Sequence, residues 1–339
     1  MDPTLLLIVL LTVSVIVAFG IGANNESLAP LVSSGAVKLK YVLYLGFIIS
    51  ILGALLFGTA VSETIGSGLL NVDIIDATKL ENLMLAVIIS TSIFLILSST
   101  KGLPISTTVG VVGAVIGVGI YYFIVVGVDV VLWGGFTSVV MGWIISPLAG
   151  LAASMGIYWL IRRYILTIPK GLRGIERMEQ FFLYGLVGMI IVSALTRTGN
   201  DVGNAVGVLT GFQGINLPNI TILLLIGGIG IGIGLYILGR RVLQNVGKNI
   251  LEMRPSDAFA IQTSVSIILL ISTTLGAPIS GTALLIFAII GNSVVKHLRM
   301  NKKTMKDILL SWGLTIPVTL LMAMGICALL YLINPIPIP

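Results

Sequence analysis

An all-α polytopic membrane protein, an inverted-topology repeat of two five-segment halves whose broken or re-entrant helices meet at the midplane, is predicted by three observations. The composition suits lipid: 57% of the 339 residues are hydrophobic and 9% charged, against about 25% charged in an ordinary soluble domain, and the mean hydropathy is +1.12. Ten apolar runs divide five and five about a basic connector. Two polar motifs occur once per half, in the same order and at nearly one offset.

The runs are 4–21, 41–61, 81–100, 104–126 and 130–164, then 180–194, 220–238, 258–276, 278–295 and 308–333. A membrane helix needs about 20 apolar residues. The first run lacks a basic leader and a small-residue cleavage site, so it reads as a retained helix. The fifth is long enough to be tilted or broken, and 81–126 either crosses twice or dips in and returns. The expected organisation is a first repeat over 1–165, a basic cytoplasmic connector over 166–179 and a second, inverted repeat over 180–339.

Loop charge sets the orientation. Glu63, Asp73 and Asp76 outnumber Lys79 in 62–80, which places that loop outside. The bases of 162–179, of 239–257 (Arg240, Arg241, Lys248, Arg254) and of 296–307 place those segments inside. Ten passes with both termini outside a cell membrane satisfy all of them, and the bases read as this sidedness signal rather than as a nucleic-acid surface. One cysteine, Cys327, excludes a disulfide framework, and one histidine, His297, stands in a basic loop. Without a nucleophile and base near the motifs an enzyme is disfavoured, and no cofactor is expected. The absence of G-x-x-x-x-G-K-[ST] disfavours ATP-driven transport.

Five passes per half force corresponding segments to run in opposite directions. Gly22-Ala23-Asn24-Asn25 matches Thr198-Gly199-Asn200-Asp201 at an offset of 176, and Gly102-Leu103-Pro104-Ile105-Ser106-Thr107-Thr108 matches Gly276-Ala277-Pro278-Ile279-Ser280-Gly281-Thr282 at 174. Such repeats hold substrate and coupling ions near the midplane on broken helices.

The first pair centres on Asp201, flanked by Asn200 and Asn204. An intramembrane carboxylate is costly and marks an ion or substrate path. Gly199, Gly203, Gly207 and Gly211 form a small-residue stripe that lets another helix approach; the plainer reading is a polar loop beside a packing face. The second pair places proline at a first helical turn, followed by Ser106, Thr107, Thr108, Ser280, Gly281 and Thr282. Two such helix starts aimed at each other would cradle an oxyanion, whereas each alone reads as an ordinary Ser/Thr N-cap.

These motifs resemble those of the inorganic phosphate transporter (PiT) family, whose signature G-A/G-N-D-V-A-N-A/S and turn G-L-P-x-S-T/G-T-H each occur once per half. The second half carries G-N-D-V-G-N-A-V-G over 199–207, and the likeness extends to S-S-G-A-V at 33–37, V-S-E-T-I-G-S-G at 61–68, S-P-L-A-G at 146–150 and S-W-G-L-T-I-P at 311–317. The resemblance implies cation-coupled uptake of phosphate by a homodimer in a lipid bilayer. Substrate would contact Asn24, Asn25, Ser106, Thr107, Thr108, Asp201, Asn204, Ser280, Gly281 and Thr282. The coupling ion, sodium or a proton, would use Asn24, Glu26, Asn200, Asp201 and Asn204, with sodium at Asn24, Asn200 and Asp201.

The departures concern charge. The first-half aspartate is Asn25, Glu26 follows it, Leu28 replaces the later asparagine, and Val109 and Ala283 replace both family histidines. One fewer strongly held cation is expected unless Glu26 turns inward. Lys101 and Arg197 read either as attractors of the anion or as snorkelling cations. Asp201 can accept the proton of hydrogen phosphate, which favours phosphate; sulfate, satisfied by donors alone, is the alternative substrate. An anion channel would need a continuous pore lined by carbonyls or charges.

Overall fold

The computed structural model describes residues 3–33, 37–100, 105–169, 171–210, 218–249, 254–297 and 302–333. Lys101, Pro104 and Gly211 lie outside them. The first half comprises α1 (Pro3–Ala23), the short α2 (Ala29–Ser33), α3 (Leu39–Ser67), α4 (Ala77–Thr100), α5 (Thr107–Val126) and α6 (Trp133–Leu160). The second comprises α7 (Gly171–Thr210), α8 (Ile220–Ile237), α9 (Gly239–Asn249), α10 (Pro255–Thr274), α11 (Gly281–Lys296) and α12 (Lys302–Ile333).

Each expected apolar run has a helix over most of its described length, and among the described residues eight helices are long and apolar enough to cross a membrane. At 16 residues α11 is about 24 Å long, short of the ~30 Å hydrocarbon core. The fifth run is continuous through Pro147 and winds into a π-turn at Ile161–Ile165. Burial is inside out relative to a water-soluble protein: Asn24, Glu26, Arg197 and Asp201 are buried, while Leu56, Ile124 and Leu321 lie on the exterior. The multi-pass reading requires this, because lipid offers nothing to a polar side chain.

The two halves part company at their first motif. In the first, the Asn25 Oδ1 accepts the Ser27 amide at 2.9 Å, a local turn that competes with the helix and ends α1 at Ala23. In the second, α7 runs unbroken through Asp201 to Thr210, so the polar-loop reading and the expectation of a break there are both corrected. Its glycines explain the continuity. A Cβ at Gly203 would lie 2.6 Å from Val61 and one at Gly207 2.7 Å from the Ser62 carbonyl, so α3 packs hard along the described part of the stripe, Gly199 to Gly207, and supports it. α7 also starts inside the expected connector, at Gly171; Glu179 on its early turns accepts the Ser256 amide and hydroxyl, both at 2.9 Å, and so closes the start of α10.

α4 with α5, and α10 with α11, form two hairpins. At the open end of the first, the strand-like segment after α3 meets the one after α5: the Asn71 amide donates to the Val130 carbonyl at 2.8 Å and the Leu132 amide to Leu69 at 2.9 Å. At the open end of the second, Lys296 pairs with Asp257, and Arg162 Nη1 donates to the Val295 carbonyl at 3.0 Å. The tips meet each other: Thr108 Oγ1 donates to the Ile279 carbonyl at 3.2 Å. α3 lies along α7 and α8, α1 along α8 and α4, α10 along α7 and α6, α6 along α11, and α12 along α5 and α4.

Candidate functional site

The two hairpin tips, the end of α1 and the middle of α7 converge on one buried polar network. Each tip is built by the same local chemistry. Ser106 and Ser280 are N-caps, their hydroxyl oxygens accepting the Val109 amide at 3.3 Å and the Ala283 amide at 3.2 Å. The cap reading of these serines therefore holds, while each O–H keeps its own proton to donate. Pro278 precedes its cap by two residues instead of opening the helix, because the capping serine needs an extended backbone before it. Gly276 turns the chain out of α10 at φ 69°, which a side chain would oppose.

Arg197 is the hub. It is 5% exposed, and its guanidinium reaches Glu26 Oε1 at 2.8 Å, Asp201 Oδ2 at 3.4 Å and Thr282 Oγ1 at 3.0 Å. Burial overturns the snorkelling reading of this residue: its donors are engaged by Glu26, Asp201 and Thr282. Glu26 does turn inward, at 1% exposure. Thr282 Oγ1 donates to it at 2.7 Å while receiving from Arg197, which locks α11 to both. Gly281 makes this possible, since a Cβ there would lie 3.0 Å from the guanidinium carbon. Two carboxylates and one guanidinium leave a net single negative charge.

The asparagines, similar in sequence, have different occupations. Asn200 is fully used, its Nδ2 donating to the Ala277 carbonyl at 2.9 Å and to Thr273 Oγ1 at 3.3 Å, its Oδ1 accepting the Ile279 amide at 3.3 Å. It pins the α10–α11 tip to α7. Asn24 donates to the Ile105 carbonyl at 2.8 Å, and Asn204 to Thr108 Oγ1 at 3.1 Å. Both leave a buried Oδ1 without a hydrogen-bond partner, as does Glu26 through Oε2. Thr107 Oγ1 donates to Asp201 Oδ1 at 3.3 Å. Asn25, buried, spends its side-chain oxygen on its own turn.

Each of these three buried oxygens, carboxylate or amide, is of the kind a hard cation takes as a ligand. Among the described residues no group of three or more His, Cys, Asp or Glu could hold a metal ion, so a thiolate or imidazole centre has no counterpart here. Thr273, whose hydroxyl links Asn200 to the Thr196 carbonyl, escaped the sequence reading. So did the Ile105 and Ile279 carbonyls, which no side-chain pattern advertises. The Arg197–Asp201 contact escaped it too, although four-residue spacing on one helix was a signal that could have found it.

A family model described as the phosphate transporter family matches residues 19–323. The chain is 30% identical to a Pyrococcus abyssi protein provisionally named a phosphate permease, over 98% of this chain and 100% of the relative. It is 26% identical to inorganic phosphate transporter 2-1, chloroplastic, of Arabidopsis thaliana, over 88% of this chain and 68% of that one. In fold it is similar to a solved structure described as the sodium-dependent phosphate transporter, with a TM-score of 0.88 and 24% identity over 97% of this chain and 99% of that one.

Proposed function

Because the chain belongs to the phosphate transporter family, a transporter family whose substrate is phosphate, we propose that it imports inorganic phosphate by cation symport through alternating access. The observation that carries the proposal is the meeting of two hairpin tips at a buried, charged network. The first amides of α5 and α11 have no partner within their helices and present positive ends to an anion. The Ser106 and Ser280 hydroxyls add donors. In the present arrangement Asp201 and Glu26 lie at those helix starts through Thr107 and Thr282. A coupling cation drawn to the free oxygens of Asn24, Glu26 and Asn204 would take up carboxylate charge and release the helix starts for phosphate. Asp201 Oδ1, once released by Thr107, can accept the phosphate proton, a role sulfate cannot use, which favours phosphate over sulfate.

The proposal includes the two-repeat organisation, 1–165 and 180–339 about 166–179, as a homodimer in the cell membrane with both termini outside. Its support is the exchange of partners. α1 lies on α8 as α7 lies on α3, α5 on α12 as α11 on α6, and α4 on α1 as α10 on α7. Two hairpins that meet at their tips would supply one gate each to a single site. A water-sized cavity lined by Ser27, Ser193, Arg197 and Gln262 adjoins Arg197 beside α10.

The test is uptake of radiolabelled phosphate into proteoliposomes under separate inward sodium and proton gradients, with unlabelled sulfate as competitor and Asp201→Asn beside the wild type. Concentrative uptake under one gradient, indifferent to modest sulfate and abolished in the variant, is expected. Uptake that neither gradient drives uphill, or that sulfate suppresses, would overturn the coupling or the substrate respectively.

A further inference from the structure

We infer that Arg197 is a resident counter-cation, a fixed positive charge that takes the place of one mobile coupling cation and so sets how many cations this protein binds. The inference rests on the symport reading above and goes beyond it.

Three independent features place a cation here by construction. The guanidinium is buried and reaches both site carboxylates, Glu26 at 2.8 Å and Asp201 at 3.4 Å. Thr282 presents its hydroxyl oxygen to Arg197 and its proton to Glu26, so the pair is completed by a side chain from the α10–α11 hairpin. Gly281 leaves the volume that the guanidinium fills; a Cβ there would lie 3.0 to 3.1 Å from its Cζ, Nε and Nη1. Arginine stays charged throughout any physiological cycle. Its charge therefore cannot enter or leave with substrate, unlike a bound sodium ion.

Charge counting then orders the variants. Glu26, Asp201 and Arg197 together carry a single negative charge. Arg197→Gln doubles it, Glu26→Gln cancels it, and Arg197→Gln with Glu26→Gln restores the wild-type value. Buried carboxylates left uncompensated either gain a proton or draw a cation. At a pH where they stay ionised, each step is read as one cation more or fewer.

The experiment is equilibrium binding of radiolabelled sodium to the purified full-length protein in detergent, without phosphate, together with the sodium-to-phosphate flux ratio in proteoliposomes. Expected are one additional sodium bound per protein in Arg197→Gln, one fewer than wild type or none in Glu26→Gln, and the wild-type number in the double variant and in Arg197→Lys. Equal sodium binding by wild type and Arg197→Gln, or a double variant that stays with Arg197→Gln, would overturn the inference. A variant that loses phosphate affinity with its sodium number unchanged would do so too, since it would make Arg197 a ligand of the anion. Should Arg197→Gln not fold, the double variant still decides, since it keeps the wild-type charge without Arg197 and a sodium number below that of the wild type would overturn the inference. Absence of phosphate uptake by the wild type would instead refute the symport reading, and the sodium-binding series would stand as a separate result.

Discussion

Asn200→Asp exchanges one atom, yet the structure makes it a severe change. The wild-type amide donates to the Ala277 carbonyl at 2.9 Å and to Thr273 Oγ1 at 3.3 Å, and accepts from the Ile279 amide at 3.3 Å. A carboxylate keeps only the last. Ala277 loses its donor, at about 1–3 kcal/mol for an acceptor left without a partner, and then faces a negative oxygen instead. The Thr273 hydroxyl can turn to donate to the new carboxylate, and the Ile279 amide gains charge assistance of about 1 kcal/mol. A second carboxylate one residue from Asp201 adds repulsion. The balance is a loss of about 1–2 kcal/mol in the docking of the α10–α11 tip before the repulsion is added, or at least about tenfold in the docked fraction. Hydrogen exchange across 275–282, followed by mass spectrometry in detergent, should accelerate by about that factor, and phosphate uptake should fall with it. Asn200→Ala, which loses all three bonds without adding charge, should show a similar acceleration. Exchange in Asn200→Asp at the wild-type rate would refute the assignment of Asn200 as the pin of the tip.

Other outcomes follow from packing and pairing. Gly203→Ala drives a Cβ to 2.6 Å from Val61 and 3.0 Å from the Ser62 amide, whereas Gly188→Ala meets nothing within 4 Å; the first should lower the melting temperature through an overpacking cost of about 1–3 kcal/mol, the second should leave it level or raise it, and equal effects would refute the α3–α7 seam. Asp257→Ala strips Lys296 of its carboxylate and the Arg254 amide of its acceptor, so a loss of about 1–3 kcal/mol is expected in thermal unfolding, discounted because Lys296 is partly exposed. Asn204→Asp keeps the amide's free oxygen and adds charge to it; tighter sodium binding is expected, and weaker binding would remove Asn204 from the cation site. Thr282→Val removes the hydroxyl shared by Arg197 and Glu26 and should cost about 1.5–3 kcal/mol per charged bond lost, read as a lower melting temperature.

Much of this was legible in the sequence because it depends on short-range or compositional signals. Apolar runs became helices, since a backbone in lipid must satisfy its own hydrogen bonds. The paired Pro-x-Ser turns became paired helix starts, since a serine cap acts within three residues. The glycine stripe became a close seam for the same local reason. Where the reading erred, competing local bonds or distant partners decided. Asn24-Asn25-Glu26 and Asn200-Asp201-Val202 look alike, yet Asn25 turns on its own backbone and ends its helix, while Asp201 is drawn to Arg197 and Thr107 and leaves its helix intact.

What the sequence by itself determined is the class of protein, the positions of its helices and the set of polar residues that lipid would not tolerate on the outside. Only the tertiary structure decided what each of those residues does. Glu26 and Thr282 stand 256 positions apart, and Thr108 and Ile279 171. No periodicity or propensity carries information over such separations. Whether Glu26 adds a charge to the site or has it met by Arg197, and which asparagine oxygens remain free, depend on the side chains that four separate segments bring within 3.5 Å. That depends on how the helices pack, because a hydrogen bond or ion pair forms only where packing has already placed both partners.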